Sequence, residues 1–288
     1  MKIVDVETNR GLVLKGVMWG DSTMDTVVVM MSGICSNVFN NEFFRAIGEK
    51  LNQNNIAYIV GQSMDAFSIL TYTNVKTNKK EATGVVFDDF DCVYEDVDAY
   101  VQYAKSLGFK KFILAGHSLG SNKVIHYLSK NRNEAVKNFI ISSPVDLSDF
   151  FDRIPEINMY LETASSFVEN GKGQNILPFL FMDFSPMCAD TLLQFYTNET
   201  LKNCPVISEN GETESLAAID ISGAFVIGDK DHFANGDSLG YISKINSFCK
   251  DPEKNTLHIV DGGSHIFFNK HNEFADAIQK CVVELMPL

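Results

Sequence analysis

The 288-residue chain has no apolar run approaching the eighteen or so residues a membrane-spanning helix needs, so no membrane partner is expected. Positive charge is also scarce: 24 Lys and Arg stand against 37 Asp and Glu, a formal net charge of −13. That balance argues against nucleic acid or an anionic membrane surface as the main partner. The six cysteines (Cys35, Cys92, Cys188, Cys204, Cys249 and Cys281) are widely spaced and include no Cys-x-x-Cys pair. They read as buried thiols rather than disulfides or zinc ligands. No His, Cys, Asp or Glu cluster has metal-ligand spacing, so neither a metal nor another cofactor is expected. Met1 to Asp5 show no basic segment leading into an apolar one; no signal peptide is predicted, and a cytoplasmic location is expected. Internal repeats and low-complexity tracts are absent.

Hydrophobic residues make up 45% and charged residues 21% of the chain, the balance of a globular protein able to bury a sizeable core. Residues 3–6 and 12–19, separated by the turn signal Asn9-Arg10-Gly11, predict two antiparallel strands. Thr26–Met31 (TVVVMM) is apolar and rich in β-branched residues, the mark of a central strand covered on both faces. A helix over 42–52, a strand over 56–60, a polar loop over 63–87 and a helix over 88–107 follow. In the last, Val93, Val97, Tyr100, Val101 and Ala104 share one face. After a strand ending near residue 116, a helix to Lys130 and strand Val136–Ser142, the pattern predicts an α/β fold. Its central sheet is mostly parallel, with right-handed crossovers and helices on both faces.

The alternation breaks between residues 145 and 215, where helix-like pieces are interrupted by Pro155, Pro178, Pro186 and Pro205. It resumes with strand Gly223–Gly228, a helix over 238–248, strand Thr256–Val260 and a closing helix over 273–285. The expected organisation is a core of residues 1–144 and 216–288 carrying a cap insertion, 145–215. The cap lies over the carboxyl edge of the sheet, where open α/β sheets bind ligands.

Residues 112–121 (FILAGHSLGS) concentrate the chemical signal. A short apolar strand runs into Gly116-His117-Ser118-Leu119-Gly120, and an amphipathic helix starts at once. Glycines at 116 and 120 let neighbouring backbone pass close to a strained turn. That turn lifts the Ser118 hydroxyl clear of the sheet, at the positive end of a helix. A serine hydroxyl needs a base to act as a nucleophile, and the base needs an orienting carboxylate. Both are available at later strand ends, in Asp229-Lys230-Asp231-His232 and in Asp261-Gly262-Gly263-Ser264-His265. His232 reads as a rim residue and His117 as a packed turn residue. His126, His258 and His271 read as structural or solvated.

From Ser32-Gly33-Ile34-Cys35-Ser36-Asn37 through GHSLG and GDKD to GGSH, the whole chain resembles the α/β-hydrolase family. The resemblance implies Asp231 as the acid, after its Gly-x-x-Asp, and His265 as the base, after its Gly-Gly-x-His. Asp229 and Asp146 remain alternative acids. It also implies an oxyanion hole of two backbone N–H groups, one from Leu119 and the other from Ile34, with Cys35 as the alternative. Here Ser32 stands where the family's common His-Gly-Gly sequence has histidine.

The 145–215 segment is rich in large apolar residues, among them Phe150, Tyr160, Phe181, Phe184 and Phe195. They are expected to form the cap's own core and, in part, an apolar pocket. Twelve acidic residues there stand against Arg153, Lys172 and Lys202. This disfavours anionic substrates and suits a neutral or cationic small-molecule ester with an apolar group. The expected activity is that of a carboxylesterase-like serine hydrolase. A thioesterase, amidase or carbon–carbon bond hydrolase would use the same groups. The cap's layout also resembles the fungal siderophore-esterase-like branch of the family. The rival from another class is a non-catalytic, hydrolase-fold small-molecule receptor.

Overall fold

In this computed structural model the described residues are 1–130, 134–181, 185–205 and 213–286; Phe184 lies outside them. They form strands β1 (Lys2–Glu7), β2 (Val13–Trp19), β3 (Thr26–Met31), β4 (Ala57–Gly61), β5 (Leu70–Thr73), β6 (Lys80–Thr83), β7 (Lys111–His117), β8 (Val136–Ser142), β9 (Gly223–Gly228) and β10 (Thr256–Val260). The principal helices are α1 (Phe43–Gln53), α2 (Val93–Ser106), α3 (Leu119–Lys130), α4 (Leu147–Asp152), α5 (Ile157–Glu169), α6 (Ala189–Thr197), α7 (Glu199–Lys202), α8 (Glu214–Ala217), α9 (Ser238–Asn246) and α10 (His271–Leu285). Among the described residues no helix is long and apolar enough to cross a membrane.

Eight strands form one sheet in the order β1-β2-β4-β3-β7-β8-β9-β10. β1 with β2 and β2 with β4 pair antiparallel; every later pair is parallel. The apolar run of β3 explains its central place, because Val27 to Met31 are buried from both sides. Side chains alternate across a strand. Val27, Val29 and Met31 therefore pack with Tyr100 of α2, Val124 of α3 and Ile242 of α9. Val28 and Met30 pack with Phe43 of α1 and Phe274 of α10.

From β3 the chain first moves to β4 on one side, then returns to β7 on the other. The crossovers on either side of β3 therefore leave in opposite directions and open a crevice at the carboxyl ends of β3 and β7. The loop carrying Ser32 to Asn37 and the turn carrying Ser118 both emerge there.

Two stretches differ from the sequence expectation. Residues 63–87 are not simply loop, since they hold the antiparallel hairpin β5–β6, whose register pairs Leu70 with Thr83 and Thr73 with Lys80. Both strands are largely exposed and polar, so no apolar period marks them. The helix expected from residue 88 begins at Val93, after a 3-10 turn at Phe90–Cys92 whose Asp91 N–H is capped by the Asp89 side chain.

Phe225, fully buried on β9, meets Phe139 of β8 edge-on at a centroid distance of 5.7 Å. Phe225→Ala is expected to destabilise the chain by about 3–5 kcal/mol through the cavity it leaves. Ile259→Ala, on edge strand β10 with 40% of the residue exposed, is expected to cost under about 1 kcal/mol. Urea unfolding of the two variants beside wild type checks the contrast.

Candidate active site

β7 ends at His117 and α3 begins at Leu119, leaving Ser118 alone in the turn with φ +56°. That left-handed conformation costs a non-glycine residue roughly 1–3 kcal/mol and persists only where its surroundings hold it. The Ser118 N–H donates to the Ser142 carbonyl at 3.0 Å, and the Ser121 N–H donates to the Ser118 carbonyl at 2.8 Å. Both flanking glycines are required by close backbone approach. A Cβ on Gly116 would lie 2.3 Å from the Gly120 carbonyl oxygen, and one on Gly120 would lie 2.1 Å from that of Met31.

The loops after β9 and β10 are joined by main-chain bonds: the Asp229 N–H donates to the Val260 carbonyl and the Lys230 N–H to the Gly263 carbonyl. This sets Asp231 beside His265. The His265 Nδ1–H donates to Asp231 Oδ2 at 2.9 Å and approaches Oδ1 at 3.1 Å. Its Nε2 then carries the lone pair and accepts from the Ser118 hydroxyl at 2.9 Å. The structure thus brings Ser118, His265 and Asp231 into one hydrogen-bonded chain. Burial pushes the Asp231 carboxyl up, but its bond to His265, the charge there and the Phe233 N–H outweigh this and leave it below the ordinary carboxylate range.

The alternative acids serve elsewhere. Asp229 pairs with Lys230 at 3.2 Å, and Asp146 caps α4 by accepting the Asp149 N–H at 3.1 Å. His232 stands at the mouth of the site, its ring edge-on to His265 at 5.3 Å.

His117 does more than pack. Its buried Nε2–H donates to the main-chain carbonyl of His265 at 2.8 Å, tying the serine turn to the loop after β10. The adjacency of His117 to Ser118 is legible in the sequence; its bond across 148 residues is not. Burial, with the neighbouring His265, holds its proton affinity down to about 3.

Gly33 abuts the serine, since a Cβ there would lie 2.9 Å from Ser118 Cβ and 3.3 Å from Oγ. Of the two candidate amides that follow, the Cys35 N–H already donates to the Asp65 carbonyl at 2.9 Å. A cavity of about 600 Å³ opens above Ser118. Phe150, Phe181, Phe195 and Phe233 join Leu119 and Leu147 on its walls, and Asn40, Asn41 and His232 supply a polar edge.

Residues 44–202 match the profile of a family described as "Protein of unknown function (DUF1749)". A comparison with curated proteins found no match. Among solved structures, the chain is similar to Est1E from Butyrivibrio proteoclasticus at 14% identity and TM-score 0.65, covering 99% of each chain. It is similar to DcsB, solved in complex with a substrate analogue, at 13% identity and TM-score 0.67, covering 99% of each. The monoacylglycerol lipase of Paleococcus ferrophilus matches at 15% identity and TM-score 0.62, over 99% of this chain and 100% of that one. The fold is that of the α/β-hydrolases.

His117 also sets an acid-side stability slope. Folded, it takes up a proton only near pH 3, against 6.5 ordinarily. At intermediate pH the unfolded chain therefore binds the extra proton, and acid favours unfolding. The contribution of the neutral ring is complete above pH 6.5 and falls by about 1.4 kcal/mol per unit below it. His126 and His232, also lowered by burial, act in the same sense. His117→Gln is expected to reduce the loss between pH 7 and pH 5 by about 2 kcal/mol in urea unfolding.

Proposed function

The chain belongs to the family described as "Protein of unknown function (DUF1749)", and from that premise we propose that it is a serine hydrolase cleaving carboxylic esters by a Ser-His-Asp acyl-enzyme mechanism. One observation carries the reading: His265 bonds Ser118 Oγ through Nε2 at 2.9 Å while Asp231 holds Nδ1 at 2.9 Å. In that tautomer the imidazole is ready to take the serine proton as the oxygen attacks a carbonyl. Asp231, ionised and buried, then stabilises the imidazolium.

The tetrahedral oxyanion is assigned to the main-chain N–H groups of Ile34 and Leu119. Leu119 is the first residue of α3, where the amide has no partner within the helix. Ile34 is favoured over Cys35 because the Cys35 amide is engaged by Asp65. Each such donor is worth about 10²–10³ in rate. His265 next protonates the leaving alcohol, which departs. A water molecule, losing its proton to the same imidazole, attacks the acyl-enzyme, and the carboxylic acid leaves as Ser118 regains its hydrogen.

We assign residues 145–215 the role of a cap. Phe150, Phe181 and Phe195 from this segment face the cavity together with Leu119 and Phe233 of the core. The apolar and neutral-polar lining supports a neutral ester with an apolar group over a charged one. A carboxylesterase-like activity is the favoured member of the class. Six free thiols, four of them buried, support a cytoplasmic setting.

The test is hydrolysis of p-nitrophenyl esters from acetate to decanoate. Ser118→Ala is expected to lower kcat by about 10⁴–10⁶-fold and Asp231→Asn by about 10⁴-fold. Along the series, each added methylene should contribute up to about 0.8 kcal/mol of transition-state stabilisation until the cavity is full. A wild type that neither turns over these esters nor is labelled at Ser118 by a phosphonate would replace the hydrolase with the receptor reading.

A further inference from the structure

Lys123 projects from α3 into the interior; its side chain and that of Asp65 are each 1% exposed. A buried ammonium must satisfy three N–H donors. Here each has one acceptor: Asp65 Oδ1 at 2.5 Å, Ser63 Oγ at 2.6 Å and the Ser32 carbonyl at 3.2 Å. The Ser63 hydroxyl in turn donates to Asp65 Oδ1 at 2.8 Å. Burial, with Asp65 nearby, holds the Asp88 carboxyl well above its ordinary range.

No step of the proposed hydrolysis uses this ion pair, yet its two residues hold both ends of the Gly33-Ile34 peptide, Lys123 by its side chain and Asp65 by its main chain. The Ser32 carbonyl, just before Gly33, is bound by Lys123. The Cys35 N–H, just after Ile34, is bound by the main-chain carbonyl of Asp65. Lys123 also rides on the helix whose first residue is Leu119. One ion pair therefore ties the segment bearing the Ile34 amide to the helix bearing the Leu119 amide. Resting on the hydrolase reading above, we propose that Lys123 and Asp65 are positioning residues that aim the Ile34 N–H at the oxyanion and fix its separation from the Leu119 N–H. An apolar pair of the same size would fill the space without directing the Ser32 carbonyl.

The test is the double variant Lys123→Met/Asp65→Val, which leaves neither charge unpaired. Active sites are counted by phosphonate labelling of Ser118, so that unfolded molecules drop out. Per labelled site, kcat is expected to fall about 10–100-fold, because a donor is misaimed rather than deleted. KM is expected to stay within about twofold. Affinity for a trifluoromethyl ketone, which forms the tetrahedral adduct, should fall in parallel, while affinity for the matching methyl ketone holds.

Unchanged kcat per labelled site would overturn the proposal and leave the pair as a structural brace. If the double variant does not fold, Ser63→Ala removes one acceptor of the ammonium, and the same split at about 3–10-fold is expected; its absence would likewise overturn the proposal. A wild type that is neither labelled nor active removes the hydrolase reading itself, and the positioning role with it.

Discussion

Everything at the candidate site depends on a close approach of backbone to backbone where α3 leaves the sheet. Gly120 lies against the carbonyls of Met31 and Ser32, and Gly116 against Gly120. No side chain intervenes, so the end of β3, the serine turn and the first turn of the helix form one packed unit. Parallel pairing of β3 with β7 brings those ends together, with Met31 opposite Gly116. The left-handed Ser118 is the local strain of that junction, and two main-chain hydrogen bonds hold it.

Around this junction, three hydrogen-bonded links join parts distant in the chain. His117 bonds the main chain of His265, the loops after β9 and β10 bond each other, and Lys123 bonds the segment after β3. A polar group withdrawn from water is costly unless paired, so each such bond has few alternatives and fixes a position. The cavity is the opposite environment. Its walls are mainly aromatic and aliphatic, a low-dielectric surrounding in which electrostatic interactions are stronger than in water.

Much of the fold is legible in the sequence, for an identifiable reason. β3, β8, β9 and β10 are marked by apolar, β-branched runs bounded by polar or glycine-containing turns; the first three are buried within the sheet, and β10 closes its edge. Hairpin β5–β6 is not legible, because exposed strands such as Lys80–Thr83 carry no apolar alternation. At the site, the order of Ser118, Asp231 and His265 along the chain can be read because each follows a recognisable strand. Which aspartate reaches the imidazole cannot, since Asp229 and Asp231 differ only by the course of one turn. The bond from the Cys35 amide to Asp65, thirty residues onward, is equally hidden. Lys123 looks like any helix lysine until its burial against Asp65 is seen.

The helices between β8 and β9 have a consequence for how the chain can change. Ser118, Asp231, His265 and Ile34 all lie outside that stretch, while Phe150, Phe181 and Phe195 within it contribute much of the cavity wall. The segment gathers its own apolar cluster, meeting the rest through a few residues such as Leu119 and Phe233. The hydrogen-bonded side chains and much of the cavity wall thus come from separate passages of one polypeptide. On the proposed hydrolase reading, substitutions in this stretch would reshape the cavity wall while Ser118, Asp231 and His265 keep their places, so that the range of molecules admitted could diverge with the hydrogen-bonded chain unchanged.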